Sequence, residues 1–226
     1  MHKRLLEHLI DNDIINNRQA AYLKGDSTVQ QLLYIVHHIK KLWTKGNITQ
    51  GVFLDVSAAF DKCWHSGMIA KLKQNKIEGN CLTFFESYLR GRKQIVVVDG
   101  VKSQMREIEA GIPQGSRLGP LLWILYVNDL LDNLESEALL FADDTCLFAS
   151  ALDPAQTAKI LNKDLSRINE WAKMWKVTFN PLKSKEIIFS KALQVYNSPP
   201  LILDNTYISR VPEHKQLGLW LNNTLS

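Results

Sequence analysis

Ala138-Leu139-Leu140-Phe141-Ala142-Asp143-Asp144-Thr145-Cys146-Leu147-Phe148-Ala149 is the stretch on which the fold turns. Two apolar runs of strand length flank Asp143-Asp144-Thr145, and the pattern reads as a β-hairpin. A turn this short has no room for a crossover helix, so the two strands run antiparallel. Upstream, Gly51-Val52-Phe53-Leu54-Asp55-Val56 is another short apolar run and reads as a buried strand. Between and around them lie helical patterns. Ser27-Thr28 opens one that continues through Val29, Leu32, Leu33, Val36 and Ile39 to Trp43. His65 to Leu72 and Cys81 to Leu89 are two more. Pro120 sits near the start of a fourth, expected to run through Leu125 to Leu131. Asp153 caps a fifth, with Pro154 at its first position and a stripe of Ile160, Leu161, Leu165, Ile168, Trp171 and Trp175. Asp99-Gly100 marks a tight turn between Gln94–Asp99 and a return over Lys102–Ile108. Short strands are expected at Ile187–Phe189, Leu201–Leu203, Tyr207–Ile208 and Leu217–Leu221, with a boundary at Pro199-Pro200. Hairpins mixed with helices predict an α+β fold on a mainly antiparallel sheet.

The 226 residues are 46% hydrophobic and 22% charged, ordinary globular usage that excludes a disordered or collagen-like chain. The three cysteines, Cys63, Cys81 and Cys146, are odd in number and lack metal-ligand spacing. That argues against a disulfide scaffold or a zinc knuckle and for a reducing compartment; the expected setting is intracellular, cytoplasmic and/or nuclear. The longest apolar run, Leu118 to Val127, is too short to span a bilayer, and the first residues do not form a signal peptide. A net charge of +4 is compatible with a polyanionic partner without requiring one.

Three carboxylates stand apart from the rest. Asp55 ends an apolar strand, and Asp143 and Asp144 are adjacent between apolar runs. Neighbouring carboxylates with poor hydration repel, so one takes up a proton unless a cation neutralises them. Hard divalent ions prefer such oxygen ligands. If the two strands are neighbours, Asp55 and Asp143 meet at one end of the sheet. They could then hold two ions about 4 Å apart, as in phosphoryl transfer. An Asp-Asp pair on a turn is, by itself, more often a solvated turn.

Four blocks in order carry more information than the acids alone. They are Phe53-Leu54-Asp55-Val56-Ser57-Ala58-Ala59-Phe60-Asp61-Lys62; Gly111-Ile112-Pro113-Gln114-Gly115-Ser116 continuing through Leu118-Gly119-Pro120 to Asn128-Asp129; Phe141-Ala142-Asp143-Asp144-Thr145; and Asn180-Pro181-Leu182-Lys183-Ser184-Lys185. Together they resemble the reverse transcriptase domain of non-LTR (LINE-like, jockey-type) retrotransposons. Lys215-Gln216-Leu217-Gly218-Leu219 resembles that family's primer-grip strand.

The resemblance implies a right-hand polymerase palm with partial fingers. Residues 1–50 would be partial fingers, 51–75 palm, 76–110 a fingers insertion with its hairpin, 111–192 palm, and 193–226 the palm end, with the thumb missing. It implies RNA-directed DNA polymerase activity, in which dNTPs are joined to a DNA primer 3′-hydroxyl on an RNA template. Asp55, Asp143 and the carbonyl of Val56 would bind Mg²⁺, with Mn²⁺ as the alternative ion, and Asp144 would tune the site or contact the primer side. Phe60 would exclude a 2′-hydroxyl. Gln114 would line the nucleotide pocket or touch the template strand, Gly115 would line the pocket, Lys183 would sit near the outgoing pyrophosphate, and Leu217 and Gly218 would form the primer grip. No membrane partner is implied. Further domains of a larger element protein are, so the expectation is a fragment truncated at both ends and weakly processive or inactive alone.

The chain also departs from the family pattern. In the fingers segment Gln19 to Thr28, a glycine and two arginines are usual where Ala21, Leu23 and Asp26 stand. Lys24 supplies one charge there, while Lys183, Lys185 and Lys191 could equally be a solvated basic rim. Arg117 and Trp123 replace smaller apolar or phenylalanine residues. The lost arginines support a second reading, an inactive remnant that binds nucleic acid. An RNA-dependent RNA polymerase would share the paired acids, but Phe60 speaks against it. A cellular, non-mobile reverse transcriptase is set aside only by the closeness of the four blocks.

Overall fold

The computed structural model describes residues 1–23, 25–190 and 197–226. Lys24 and Lys191, and the expected boundary after residue 192, lie outside them. In chain order the larger elements are α1 (His2–Asp11), α2 (Thr28–Trp43), β1 (Ile48–Leu54), α3 (Ala59–Lys62), α4 (His65–Gln74) and α5 (Gly79–Leu89). A ribbon comes next, made of β2 (Lys93–Gln94), β3 (Val97–Val98), β4 (Val101–Lys102) and β5 (Arg106–Glu107). Then come α6 (Leu118–Tyr126), β6 (Glu137–Phe141), β7 (Asp144–Ala151), α7 (Pro154–Trp175) and β8 (Lys185–Phe189). The last pieces are β9 (Ile202–Leu203), β10 (Thr206–Tyr207), β11 (Ser209–Arg210), β12 (Glu213–Gln216) and β13 (Leu219–Asn222). This is the α+β class that the alternation of hairpin and helix signals predicts.

The chain divides into two compact units. One comprises Met1–Ile15, Ala58–Val127 and Trp175–Val177; the other comprises Asn16–Ser57, Asn128–Met174 and Thr178–Ser226. In the first, α1, α4, α5 and α6 bury Leu5, Leu9, Met68, Leu72, Phe85, Leu89, Leu122 and Tyr126. Lys71 is only 2% exposed, with its Nζ 3.6 Å from the centre of the Trp175 ring, where the aromatic face replaces part of its lost hydration. In the ribbon, Val98 pairs with Val101 across Asp99 and Gly100, both at positive φ, as a two-residue type I′ loop requires.

The second unit is built on a five-stranded sheet in the order β11-β8-β1-β7-β6. β1 is central and antiparallel to both β7 and β8, β6 is antiparallel to β7, and β11 joins β8 in parallel. Ser27 Oγ accepts the Gln30 N–H at 3.2 Å, capping α2. Leu32, Ile35 and Ile39 of that helix share one core with Phe53, Phe148, Ile187 and Phe189. Gly51 has no side chain because none fits: a Cβ there would lie 2.9 Å from both the Phe148 and Phe189 rings. The neighbouring Gln50 donates from Nε2 to Glu186 at 2.8 Å and accepts from Thr157 Oγ1 at 2.6 Å, so this buried amide is satisfied on both atoms.

Several boundaries differ from the sequence reading. α6 stops at Tyr126 rather than Leu131. Asn128 Oδ1 instead accepts the Asn16 N–H at 2.7 Å and Asp129 accepts from Trp171 Nε1 at 2.8 Å, bonds that the turns after Tyr126 make available. Asp144 and Thr145 belong to β7, not to the turn. Leu217–Leu221 is not one strand. Gln216 pairs with Leu219 across Leu217 (φ 48) and Gly218 (φ 88), a second two-residue loop of left-handed residues. Pro199-Pro200 does not detach the C-terminal strands, since Ser209–Arg210 extends the sheet and Arg210 Nε reaches Glu186 at 2.6 Å.

Candidate active site

The first acid stands where the central strand runs out. Asp55 comes directly after β1, is half-buried, and is gripped through its backbone by the turn Asn180–Ser184. Its N–H donates to Ser184 Oγ at 3.2 Å, the Ser184 hydroxyl donates to the Asn180 carbonyl at 2.8 Å, and the Asn180 N–H returns to the Asp55 carbonyl at 2.8 Å. These three bonds close a ring. Asn180 Oδ1 also accepts the N–H groups of Leu182 (3.1 Å) and Lys183 (3.3 Å), the side-chain-to-backbone bonding that suits Asn to turns. Lys183 is therefore carried, exposed, on a turn bonded directly to the Asp55 backbone. Val56 continues this pairing in an isolated bridge with Phe179.

The second and third acids lie on the β6–β7 hairpin. Phe141 pairs with Asp144, leaving Ala142 and Asp143 as a two-residue turn. Ala142 alone of the two has positive φ, at 58°, a type II′ pattern in which glycine is the usual first residue. Leu54 pairs with Thr145, so the strands end side by side with Asp55 next on one and Asp144 next on the other. Asp143 and Asp144 are both solvent-exposed, yet Asp144 is held above the usual carboxylate range, first by the desolvation its neighbours impose on the carboxyl and then by the charges of Asp143 and Asp55. The Tyr22 hydroxyl is likewise raised, by burial and then by Asp143, which puts the Tyr22 loop in the field of the same acid.

These groups suit a hard divalent ion. The donors are all oxygens, and their mutual repulsion at Asp144 marks a charge that a cation would neutralise. Among the described residues, no three His, Cys, Asp or Glu side chains form a ready-made metal site. No helix of the described residues is long and apolar enough to cross a membrane.

The other predicted residues form separate groups. In the first unit, Phe60 is half-buried against the Trp123 ring, centroids 5.9 Å apart, and its carbonyl accepts the Ile112 N–H at 2.8 Å. That contact gives the unusual Trp123 a packing role. Gln114 is exposed, but its Nε2 donates to Asp61 Oδ1 at 2.8 Å. Asp61 thus orients Gln114, a pairing the sequence reading misses. Gly115 adopts φ 76, and Gly111 lies where a Cβ would meet the Asp61 carbonyl oxygen at 3.1 Å. In the second unit, Leu217 and Gly218 form the tip of the β12–β13 hairpin, Leu217 packing on the core and Trp220 remaining 61% exposed.

Residues without a sequence signal complete the picture. Ser184 and Asn180 stand out in the sequence only as members of a block, and Gln19 only as part of a divergent segment. Their importance lies in hydrogen bonds across 123 to 129 positions of sequence, which no local pattern carries.

Comparison with known proteins gives one answer. The family described as Reverse transcriptase (RNA-dependent DNA polymerase) matches residues 1–221. The RNA-directed DNA polymerase from mobile element jockey of Drosophila funebris is 29% identical, over 99% of this chain and 26% of that protein. The probable RNA-directed DNA polymerase from transposon X-element of Drosophila melanogaster is 30% identical, over 99% of this chain and 25% of that protein. The chain therefore spans about a quarter of the length of these curated relatives. Among solved structures, apo telomerase from Candida tropicalis superposes with a TM-score of 0.66 at 12% identity, covering 100% of this chain and 39% of that one. Telomerase from Candida albicans, in complex with a fragment of telomeric RNA, gives 0.64 at 13% identity, covering 100% of this chain and 38% of that one. At such identities the likeness is one of fold.

Proposed function

This chain belongs to the reverse transcriptase family, and on that premise we propose that it performs the nucleotide-joining step of RNA-directed DNA synthesis within a non-LTR retrotransposon protein. Asp55, Asp143 and the Val56 carbonyl would hold divalent cations, Mg²⁺ in preference and Mn²⁺ as the alternative. When bound, such an ion neutralises the triphosphate and acidifies the primer 3′-hydroxyl. The primer 3′-hydroxyl gives its proton to solvent water as its oxygen forms the new bond to the α-phosphorus of the incoming dNTP, and the bond to pyrophosphate breaks. Lys183, on the turn bonded to Asp55, supplies a proton to the departing pyrophosphate. Asp144 tunes the charge of the pair. Phe60, backed by Trp123, closes the space a 2′-hydroxyl would need, and Gln114 and Gly115 line the nucleotide pocket. The Leu217-Gly218 hairpin grips the primer. The template is RNA, the primer DNA, and the setting intracellular, with other domains of the parent protein as companions.

The observation that carries this reading is the pairing of β1 with β7 up to Leu54 and Thr145, which ends both strands at acids beside the Asp143 turn. Primer extension on an RNA template with Mg²⁺ and dNTPs tests it. Extension by the chain that Asp143→Ala abolishes, with salt-dependent RNA binding retained, is the expected result. Equal yield from both proteins would sink it. A second reading, an inactive nucleic-acid-binding remnant, is favoured by Leu23 and Asp26 at the arginine positions of the fingers motif. Arginine's bidentate fork on phosphate oxygens is not reproduced by either residue. RNA binding with no extension by the wild-type chain would select it.

A further inference from the structure

Gln19 is 2% exposed, and its side chain serves the acid turn rather than its own segment alone. Its Oε1 accepts two backbone N–H groups, that of Ala21 at 2.9 Å and that of Ala142 at 3.2 Å. Two donors on one atom fix which end of the amide is the oxygen. The main chain reinforces the contact: Gln19 forms a parallel bridge with Leu140, the Leu140 N–H donates to the Arg18 carbonyl at 2.9 Å, and the Ala20 N–H donates to the Leu140 carbonyl at 3.0 Å. The segment carrying Gln19 is thus laid along the edge of β6, one residue short of the turn.

Two features single this amide out. Gln19 Nε2 is buried with no hydrogen-bond partner. A buried orphan donor is destabilising, so an apolar side chain would be the better filler if volume were the only demand. The residue it contacts, Ala142, is buried and held at φ 58, a conformation unfavourable for any side chain with a Cβ. A strained backbone persists where its surroundings over-determine it, and strain of this kind collects at functional turns. Asp143 is the next residue. The Ala142 conformation sets the path of the main chain into Asp143.

We propose that Gln19 is a positioning residue for the acid turn: by accepting the Ala142 N–H it holds that residue in its left-handed conformation and aims Asp143. Because the same oxygen accepts the Ala21 N–H, it also ties the turn to the loop that carries Tyr22. The inference rests on the polymerase reading for its consequence in catalysis, but the wiring is testable without it.

Amide hydrogen exchange across residues 140–145 decides the wiring, read on the full chain by NMR or mass spectrometry. Gln19→Met removes the acceptor and keeps the length. It should speed exchange at Ala142 by about tenfold, the weight of one ordinary hydrogen bond, while distant β-sheet amides are unchanged. Gln19→Glu keeps an accepting oxygen, and read in mild acid, where burial keeps the new carboxyl neutral beside the acid turn, it should leave Ala142 protected. This second variant preserves the test if Gln19→Met fails to fold. In single-nucleotide addition, Gln19→Met should lower kcat with little change in KM for the dNTP. Ala142→Gly in the same background should restore part of the rate, because glycine reaches positive φ without strain. Unchanged exchange in Gln19→Met, loss of protection in Gln19→Glu, or a change confined to KM overturns the proposal. If wild type and Asp143→Ala extend equally poorly, the polymerase reading fails while the exchange result still decides whether Gln19 anchors the turn.

Discussion

The Ser184 hydroxyl accepts the backbone N–H of Asp55 at 3.2 Å, and through it the turn bearing Lys183 is fastened to the strand bearing the first acid. Ser184 is fully buried, and the same hydroxyl donates to the Asn180 carbonyl at 2.8 Å. Ser184→Ala removes both bonds and leaves a half-buried N–H at Asp55 without its acceptor. The expected loss is about 1–3 kcal/mol of stability. If Lys183 delivers the leaving-group proton, extension falls further than stability accounts for, because the lysine no longer shares a fixed frame with Asp55. Urea unfolding set beside single-turnover extension checks this, and Ser184→Thr, which keeps the hydroxyl, should recover part of each.

Asp144 gives a pH-dependent prediction. Its folded-state pKa lies above the unfolded value, raised first by desolvation of a carboxyl that is still solvent-exposed and then by Asp143 and Asp55. The folded protein thus binds that proton more tightly than the unfolded chain does. The resulting stabilisation is complete below the usual carboxylate range and is lost as pH rises through the raised value. At neutral pH the ionised group is a net liability. Asp144→Asn should make the metal-free protein more stable at neutral pH, with the advantage vanishing in acid. Added Mg²⁺ should narrow the gap by stabilising the wild type more. Denaturant titrations at two pH values, with and without Mg²⁺, read this directly. A benefit that persists in acid would assign it to packing instead.

Local patterns carried most of the fold because most of it is locally encoded. The Ser27 and Asp153 caps, the Asp99-Gly100 turn and the 3.6-residue stripe of α7 each depend on neighbours within a few positions. The antiparallel sense of β6 and β7 is dictated by a loop too short for a crossover. The errors fell where distant partners decide. α6 ends early because Asn128 and Asp129 bond to Asn16 and Trp171. Leu217, a residue that disfavours positive φ, gives no hint of the β12–β13 turn, so the segment reads as one strand. For the acids, sequence order supplied the residues, but only the strand register brings Asp55 to the end of the same sheet as Asp144. The ring through Asn180 and Ser184 and the Gln19 contact have no local signature at all.

Phe60 bears on sugar choice. It is half-buried against Trp123, so its ring is backed by a large, buried neighbour and has little freedom to move aside. Phe60→Ala should raise the ratio of ribonucleotide to deoxyribonucleotide incorporation by about tenfold or more, the effect of relieving a clash worth roughly 1.4 kcal/mol. Competing dCTP and CTP in single-nucleotide addition measures it. An unchanged ratio would remove Phe60 from the specificity determinants and leave it a packing residue.

Gly51 offers a test of how tightly the central strand is built. A Cβ added there would lie 2.9 Å from the rings of both Phe148 and Phe189, closer than van der Waals contact allows, and all three belong to the sheet that carries Asp55. Alanine is ordinarily the better strand residue by roughly 0.5–1 kcal/mol, so an open site would gain from Gly51→Ala. Here overpacking should outweigh that gain and destabilise by about 1–3 kcal/mol. Phe148→Leu alone should also destabilise, through lost burial and a cavity. Combined with Gly51→Ala, it should destabilise by less than the two changes summed, because the smaller side chain vacates the space the new methyl needs. Strict additivity in a denaturant-unfolding cycle would show that the rings yield without resistance. Coupling of the expected sign would show that the strand leading to the first acid is held by the contact of two phenylalanines over a missing side chain.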